Sequence, residues 1–185
     1  LKNGKIITGT GEEIYNGTII IRNGLIDEVV KDVQIPSDAL LIDIAGFYVY
    51  PGIINAFSSL GIPKSKEQNV KLLKCESNAL ELIKTQSEDI KKFRETGITS
   101  ALVVDSEGIF NGQSILINLS DGPLEALVIK TPVAQHLSFN RSSGTYPTSL
   151  MGVLAFIRQT FLDLQYYKSA TNIYSQNKVG LRRPE

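Results

Sequence analysis

The side chains able to do chemistry in this chain are few and scattered. A single histidine, His136, stands in the run Val133-Ala134-Gln135-His136-Leu137-Ser138-Phe139, and a single cysteine, Cys75, sits between Lys74 and Glu76. A catalytic zinc site draws on several His, Cys or carboxylate ligands, and one imidazole cannot supply it. Lying in an apolar stretch after a strand, His136 reads as structural, with metal ligation or ligand contact as the sharper alternative. One thiol cannot close an internal disulfide, so no oxidising compartment is required and Cys75 reads as a free thiol. Arg141, in the polar and mobile-looking loop Ser138 to Thr145, is a second candidate for ligand contact, against the plainer reading of a surface loop. Ser142-Ser143-Gly144 lacks the Gly-x-Ser-x-Gly elbow of serine hydrolases. Gly9-Thr10-Gly11 is a turn rather than a phosphate cradle, because no helix follows it at the required spacing.

The elements that must position these groups change character near Pro51. Up to about residue 50 the chain reads as short strands broken by turns: Lys5 to Thr8, then Gly17 to Arg22, then Leu25 to Val30. Asn23-Gly24 between the last two is the strongest short hairpin signal. Leu40 to Ile44 and Phe47 to Tyr50 are further β-rich runs. Beyond Pro51, strand and helix alternate. Ile53 to Phe57 is a short apolar run, expected as a strand buried on both faces. A helix is expected from Ser87, its N-cap, to Glu95, with Gly97 as its stop and Ile98 to Val104 as the next buried strand. Ser114 to Leu119 and Ala126 to Ile129 read as strands around the turn Asp121-Gly122-Pro123. A long amphipathic helix from about Ser149 to Lys168 carries Leu150, Val153, Leu154, Ile157, Phe161 and Leu164 at three- and four-residue spacing. Phe156, Phe161, Tyr166 and Tyr167 on it read as packing residues, the tyrosines alternatively as partner contacts, and the tail after Ala170 is polar.

Composition bounds the function. The 185 residues carry 19 basic and 19 acidic side chains, interspersed, so the net charge is zero. That argues against nucleic acid or an anionic membrane as main partner, since both require a basic patch. No apolar run approaches the roughly 20 residues of a membrane-spanning helix. The chain opens at Leu1 without a methionine, inside a strand-like run, so an upstream segment such as a signal peptide is expected.

The run Tyr50-Pro51-Gly52-Ile53-Ile54-Asn55-Ala56-Phe57-Ser58-Ser59-Leu60-Gly61 resembles the first barrel strand of the metal-dependent amidohydrolase superfamily. There, Pro-Gly-Leu-Ile-Asp-x-His-x-His-x-Gly carries two histidine metal ligands. The opening Leu1 to Ile7, the Ile21 to Ile26 hairpin and the approach Ile42-Asp43-Ile44-Ala45-Gly46 are similar to that family's N-terminus, within it the imidazolonepropionase-like branch. Gly97-Ile98-Thr99-Ser100-Ala101, Phe110 to Ile115 and Tyr146 to Gly152 add weaker likenesses in the same order. The resemblance implies an α/β fold with a β-sandwich portion: residues 1–50 in a composite β-sandwich, and 51–185 as the first two or three βα units of a TIM-like (β/α)8 barrel. A complete barrel needs about 250 residues, so the chain is expected to be an N-terminal part or one chain of a split member. The remaining ligands (lysine or glutamate, two histidines and a late aspartate) would then lie beyond Glu185.

The resemblance also implies a divalent metal such as zinc, and here the residues depart from it. Alternate strand residues point the same way, so two histidines would project together at the strand's C-terminal end. Phe57 and Ser59 hold those positions. A phenyl ring donates no electron pair, a neutral hydroxyl is a poor ligand beside imidazole, and Asn55 replaces a frequent aspartate. Without a firmly held cation, water is not ionised near neutrality. No catalytic, metal or cofactor residue is therefore expected in this segment. Two readings stay open: a degenerate hydrolase-family scaffold or binding module, and an active amidohydrolase of cyclic amides or peptide-like substrates with ligands supplied elsewhere. Either implies a partner, namely the rest of the barrel, another chain or a second copy, and a chain unstable as a lone monomer.

Overall fold

The computed structural model describes residues 1–64, 71–84, 88–142, 145–177 and 182–184. The chain divides into two compact units, Leu1–Ile53 and Ile54–Glu185.

The first unit is one four-stranded sheet built from β1 (Gly4–Ile7), β2 (Glu13–Arg22), β3 (Leu25–Val30) and β4 (Tyr48–Val49), in the order β3-β2-β1-β4. Asn23 (φ 52°) and Gly24 (φ 77°) both take the left-handed conformation, and Arg22 pairs with Leu25. Two consecutive positive φ values make the turn whose twist matches the flanking strands, which is why Asn-Gly sets the register here. Ile6 and Ile19 are buried in this sheet. The expected strand over 40–44 does not form. Lys2 N donates to Ile42 O and Ile44 N to Lys2 O, a single parallel bridge. Asp43 Oδ1 then accepts from Ala45 N, bending the chain into a turn before a ladder can grow.

The second unit contains β5 (Ile53–Ser58, entered from the first unit), α1 (Ala79–Leu82), α2 (Glu88–Glu95), β6 (Ile98–Val103), β7 (Phe110–Gln113), β8 (Ile115–Asn118), α3 (Leu124–Leu127), β9 (Val128–Lys130), β10 (Gln135–Leu137) and α4 (Leu150–Gln176). One sheet has the order β5-β6-β8-β9, and β7 pairs with β10 in a second. Leu60, Ile83, Ile90, Val103, Ile115 and Ile117 form the main core. The helix-to-strand step is as expected: α2 carries Glu88 and Asp89 in its first turn, and Gly97 (φ 90°) follows its end. The expected N-cap Ser87 lies outside the described residues.

Three expectations are corrected. β5 is an edge strand, not a buried one: Ile53, Ile54 and Phe57 are each more than half exposed. An apolar run marks burial in the whole assembly it belongs to, and this edge has no neighbour among the described residues. After β6 the sheet continues through β8 and β9 as antiparallel pairs, so the α2–β6 step is not followed by a second one in this sheet. Residues 124–127 are helical and the strand begins only at Val128, because Pro123 (φ −68°) opens a single turn that buries Leu127.

α4 begins where expected, with Ser149 Oγ accepting from Gly152 N, but runs on to Gln176. No glycine or proline interrupts residues 153–176. The hydroxyls of Thr160, Ser169 and Ser175 donate to carbonyls of their own helix, which occupies the polar groups of this stretch locally. Only Val153 on α4 is fully buried, beside Ile109 and Phe110. Phe156 and Phe161 pack their rings on Phe110, whereas Tyr166 and Tyr167 stay exposed, unlike the packing role read for them.

Candidate functional site

The chemistry-bearing residues are placed by the strand ends of the second unit. Val104 N donates to Ser58 O at 2.9 Å, which sets the C-terminal ends of β5 and β6 side by side. Ligand sites of parallel strands gather at that end, because the loops leaving it are free to vary. Phe57 and Ser59 lie there on β5 and in its exit loop. Asn55 Oδ1 accepts from Phe57 N, so the amide is engaged by its own strand.

The Phe57 ring faces His136, with centroids 6.0 Å apart. His136 lies inside β10, not in a stretch after a strand, and is partly buried. Its Nε2 is 2.8 Å from Ser114 Oγ, and Ser114 is wholly inaccessible. The same hydroxyl lies 3.3 Å from Ala134 O, so its one proton has two acceptors in reach. A hydroxyl sealed in this way reaches no substrate, and the Ser114–His136 contact is structural. Desolvation lowers the His136 pKa from its ordinary value near 6.5. The folded protein therefore resists a proton that the unfolded chain accepts. Its contribution to stability is complete above pH 6.5 and declines as pH falls through 6.5 toward the lower folded value. Because His136 is the only histidine, a proton NMR titration of its ring will show a single curve with its midpoint below 6.5. A midpoint at or above 6.5 would contradict this placement.

The sequence alone did not point to a charged cluster at the end of β6. Lys74 Nζ is 2.7 Å from Asp105 Oδ2 and 3.9 Å from Glu107 Oε2, and the Lys74 and Asp105 side chains are only 17% and 10% exposed. Asp105 Oδ1 also accepts from Glu107 N. Asp105 directly follows the apolar run Leu102-Val103-Val104, and a carboxylate at a strand's C-terminal end is a readable signal. Lys74 gave none, because only the fold brings it across 31 positions to Asp105.

Arg141 is exposed. Its loop is anchored rather than free: Ser138 Oγ donates to Gly108 O and Asn140 Nδ2 to Ser106 O, tying it to the end of β6. A cavity of about 880 Å³ opens beside Ser59, lined also by Ile62, Lys64, Ile83, Lys84 and Phe93. Phe57, Asp105 and His136 do not line it.

These residues do not fit a divalent metal. Position 57 offers a ring, Ser59 a hydroxyl, and the one imidazole has its Nε2 engaged by Ser114. Among the described residues no group of three His, Cys, Asp or Glu is arranged to hold a metal ion, and no helix is long and apolar enough to cross a membrane. The Asp105 carboxylate is already paired with Lys74.

No family model matches the chain. Among curated proteins it is 37% identical over 62 residues to a 5-methylthioadenosine/S-adenosylhomocysteine deaminase of Pyrococcus furiosus, covering 34% of this chain and 15% of that protein. A dihydroorotase of Thermoanaerobacter is 37% identical over 68 residues, covering 37% of this chain and 15% of its own length. The solved structure of an amidohydrolase from Thermotoga maritima matches all of this chain with a TM-score of 0.78 at 19% identity, over 52% of its own length. The chain thus spans about half of that structure and a smaller share of the two curated relatives. It shares its fold with an amidohydrolase and, over about a third of its length, is similar to a deaminase and a dihydroorotase of the amidohydrolase superfamily.

Proposed function

We propose that this chain belongs to a degenerate amidohydrolase whose first-strand metal chemistry has been lost, and that it serves as a scaffold or binding module. The observation that carries the reading is the Phe57 ring against His136, whose Nε2 is held by buried Ser114. The positions that would carry paired imidazoles thus contribute an aromatic contact and a hydroxyl. In this reading residues 1–50 belong to a composite β-sandwich and 51–185 to the opening of a (β/α)8 barrel of the imidazolonepropionase-like branch. β5 and β6 are its strands, with the antiparallel β8 and β9 outside its parallel order. The exposed edge strand β5 supports a continuing barrel, because an apolar edge left bare invites non-specific pairing. The partner is then the rest of that barrel, on the same polypeptide or another chain.

Elemental analysis of the purified full-length protein tests this. The expected result is no stoichiometric zinc, manganese or iron, and no hydrolysis of cyclic amides when these metals are added. Stoichiometric metal with metal-dependent turnover would overturn it in favour of an active amidohydrolase using ligands from outside this segment.

A further inference from the structure

The first unit holds a slot one strand wide. A cavity of about 400 Å³ runs between residues 18–23 on one side and 35–42 on the other. Both walls are apolar and bare: Ile21, Leu40, Leu41 and Ile42 are 48–85% exposed. The inner end of the slot is already filled by the start of the chain. Leu1 and Ile19 exchange two hydrogen bonds, Leu1 N donating to Ile19 O at 2.8 Å and Ile19 N to Leu1 O at 2.9 Å. Lys2 bonds the opposite wall, donating to Ile42 O and accepting from Ile44 N. Leu1 and Lys2 therefore hold the walls two strand spacings apart, about 10 Å.

The backbone of both walls continues this pattern outward. In a strand each residue turns its N–H and C=O to one side, and the side alternates along the chain. Ile19 faces Leu1, so Ile21, two positions on, turns both groups into the slot. Ile42 O faces Lys2, so Ile42 N–H points in from the other wall. A strand extended backward from Leu1 meets both in turn. The residue immediately before Leu1 accepts from Ile42 N, and the second exchanges two bonds with Ile21. The side chain of the first falls between Ile20 and Leu41 and that of the second between Ile21 and Leu40, so both positions suit apolar residues. About three residues fit, because β2 ends at Arg22 and Ala39 N turns back to Pro36 O.

From this we infer that the residues just ahead of Leu1 on the same polypeptide fill the slot as an extension of β1, which becomes a central strand between β2 and residues 40–44. A strand from another source would have to stop against the Leu1 amine, 2.8 Å from Ile19 O, whereas the preceding peptide continues from that atom. The filled slot also completes the strand over 40–44, growing it toward Leu40 and away from the turn that Asp43 makes with Ala45. This strand belongs to the first unit, and metal bound or lost in the barrel neither makes nor removes it.

Amide hydrogen exchange of the full-length protein tests the slot. Ile21 and Ile42 are expected to exchange as slowly as Ile19. Removing the residues ahead of Leu1 should speed both by about tenfold or more, while Lys5, whose N–H donates to Phe47 O, stays unchanged. In a Cys75→Ser background, Ile21→Cys should form a disulfide with a cysteine placed at the second position ahead of Leu1, directly opposite at about 5.5 Å between Cα atoms. A cysteine at the first position, which faces the other side of the sheet, should not cross-link. Fast exchange at Ile21 and Ile42 in the full-length protein would overturn the extended strand. So would protection that survives removal of the upstream residues, equal cross-linking at both positions, or a polypeptide whose first residue is Leu1.

Discussion

Replacing Lys74 by methionine is expected to lower stability by about 3–5 kcal/mol, the range for removing one partner of a buried ion pair. Methionine keeps the apolar stem and deletes the charge. Asp105 would then keep its backbone donor, Glu107 N, and lose its cation in a site where its side chain is only 10% exposed. Glu107, 3.9 Å from the same ammonium, would lose that contact as well. The cost comes from the stranded Asp105 carboxylate rather than from the net strength of the bridge, which at such depth is small. Adding Asp105→Asn to Lys74→Met should therefore recover most of the loss, even though no interaction is restored. Urea unfolding of the two variants beside wild type measures both effects. A loss under about 1 kcal/mol for the single variant would mean that the pair is solvated and its depth overstated.

The same pair shows what was and was not legible in the residues. Local signals translated directly where the physics is local. Asn23-Gly24 fixed a hairpin because two consecutive left-handed residues suit few other pairs. Ser149 capped a helix because its hydroxyl reaches Gly152 N. Signals that depend on neighbours failed. The apolar run of β5 implied burial on both faces, yet it lies at an edge, since burial belongs to the assembly and not to the strand. The polar end of α4 looked like a tail, yet helix needs only satisfied backbone and the absence of breakers. At the site, Phe57 and Ser59 were readable as departures from a histidine pair through the resemblance of residues 50–61 to the amidohydrolase first strand. That the Phe57 ring would meet His136, far along the chain, was not readable, nor was the Lys74 ammonium beside Asp105. Side chains that meet through tertiary folding leave no periodicity.

Gly112→Ala should destabilise by about 2–6 kcal/mol, combining strain at a left-handed backbone with overpacking. Gly112 has φ 90°, and an added Cβ would stand 2.5 Å from Ser77 O and 2.9 Å from Lys74 O. Both obstacles are backbone, so no side-chain rotation relieves them. The turn they belong to is fastened on each side: Lys74 N donates to Phe110 O, Ser77 N to Lys74 O and Gln113 N to Ser77 O. Moving the turn away would strain all three bonds and draw Lys74 from Asp105. Gly97 supplies the control, since it has the same φ of 90° with nothing within 4 Å of the added carbon. Gly97→Ala therefore carries the conformational cost alone, about 1–2 kcal/mol. The difference between the two variants in urea unfolding reads the close approach at Gly112, and equal losses would show that the turn yields freely. If it yields by releasing Lys74, Gly112→Ala and Lys74→Met will be less than additive, because the second change removes a contact that the first has already broken.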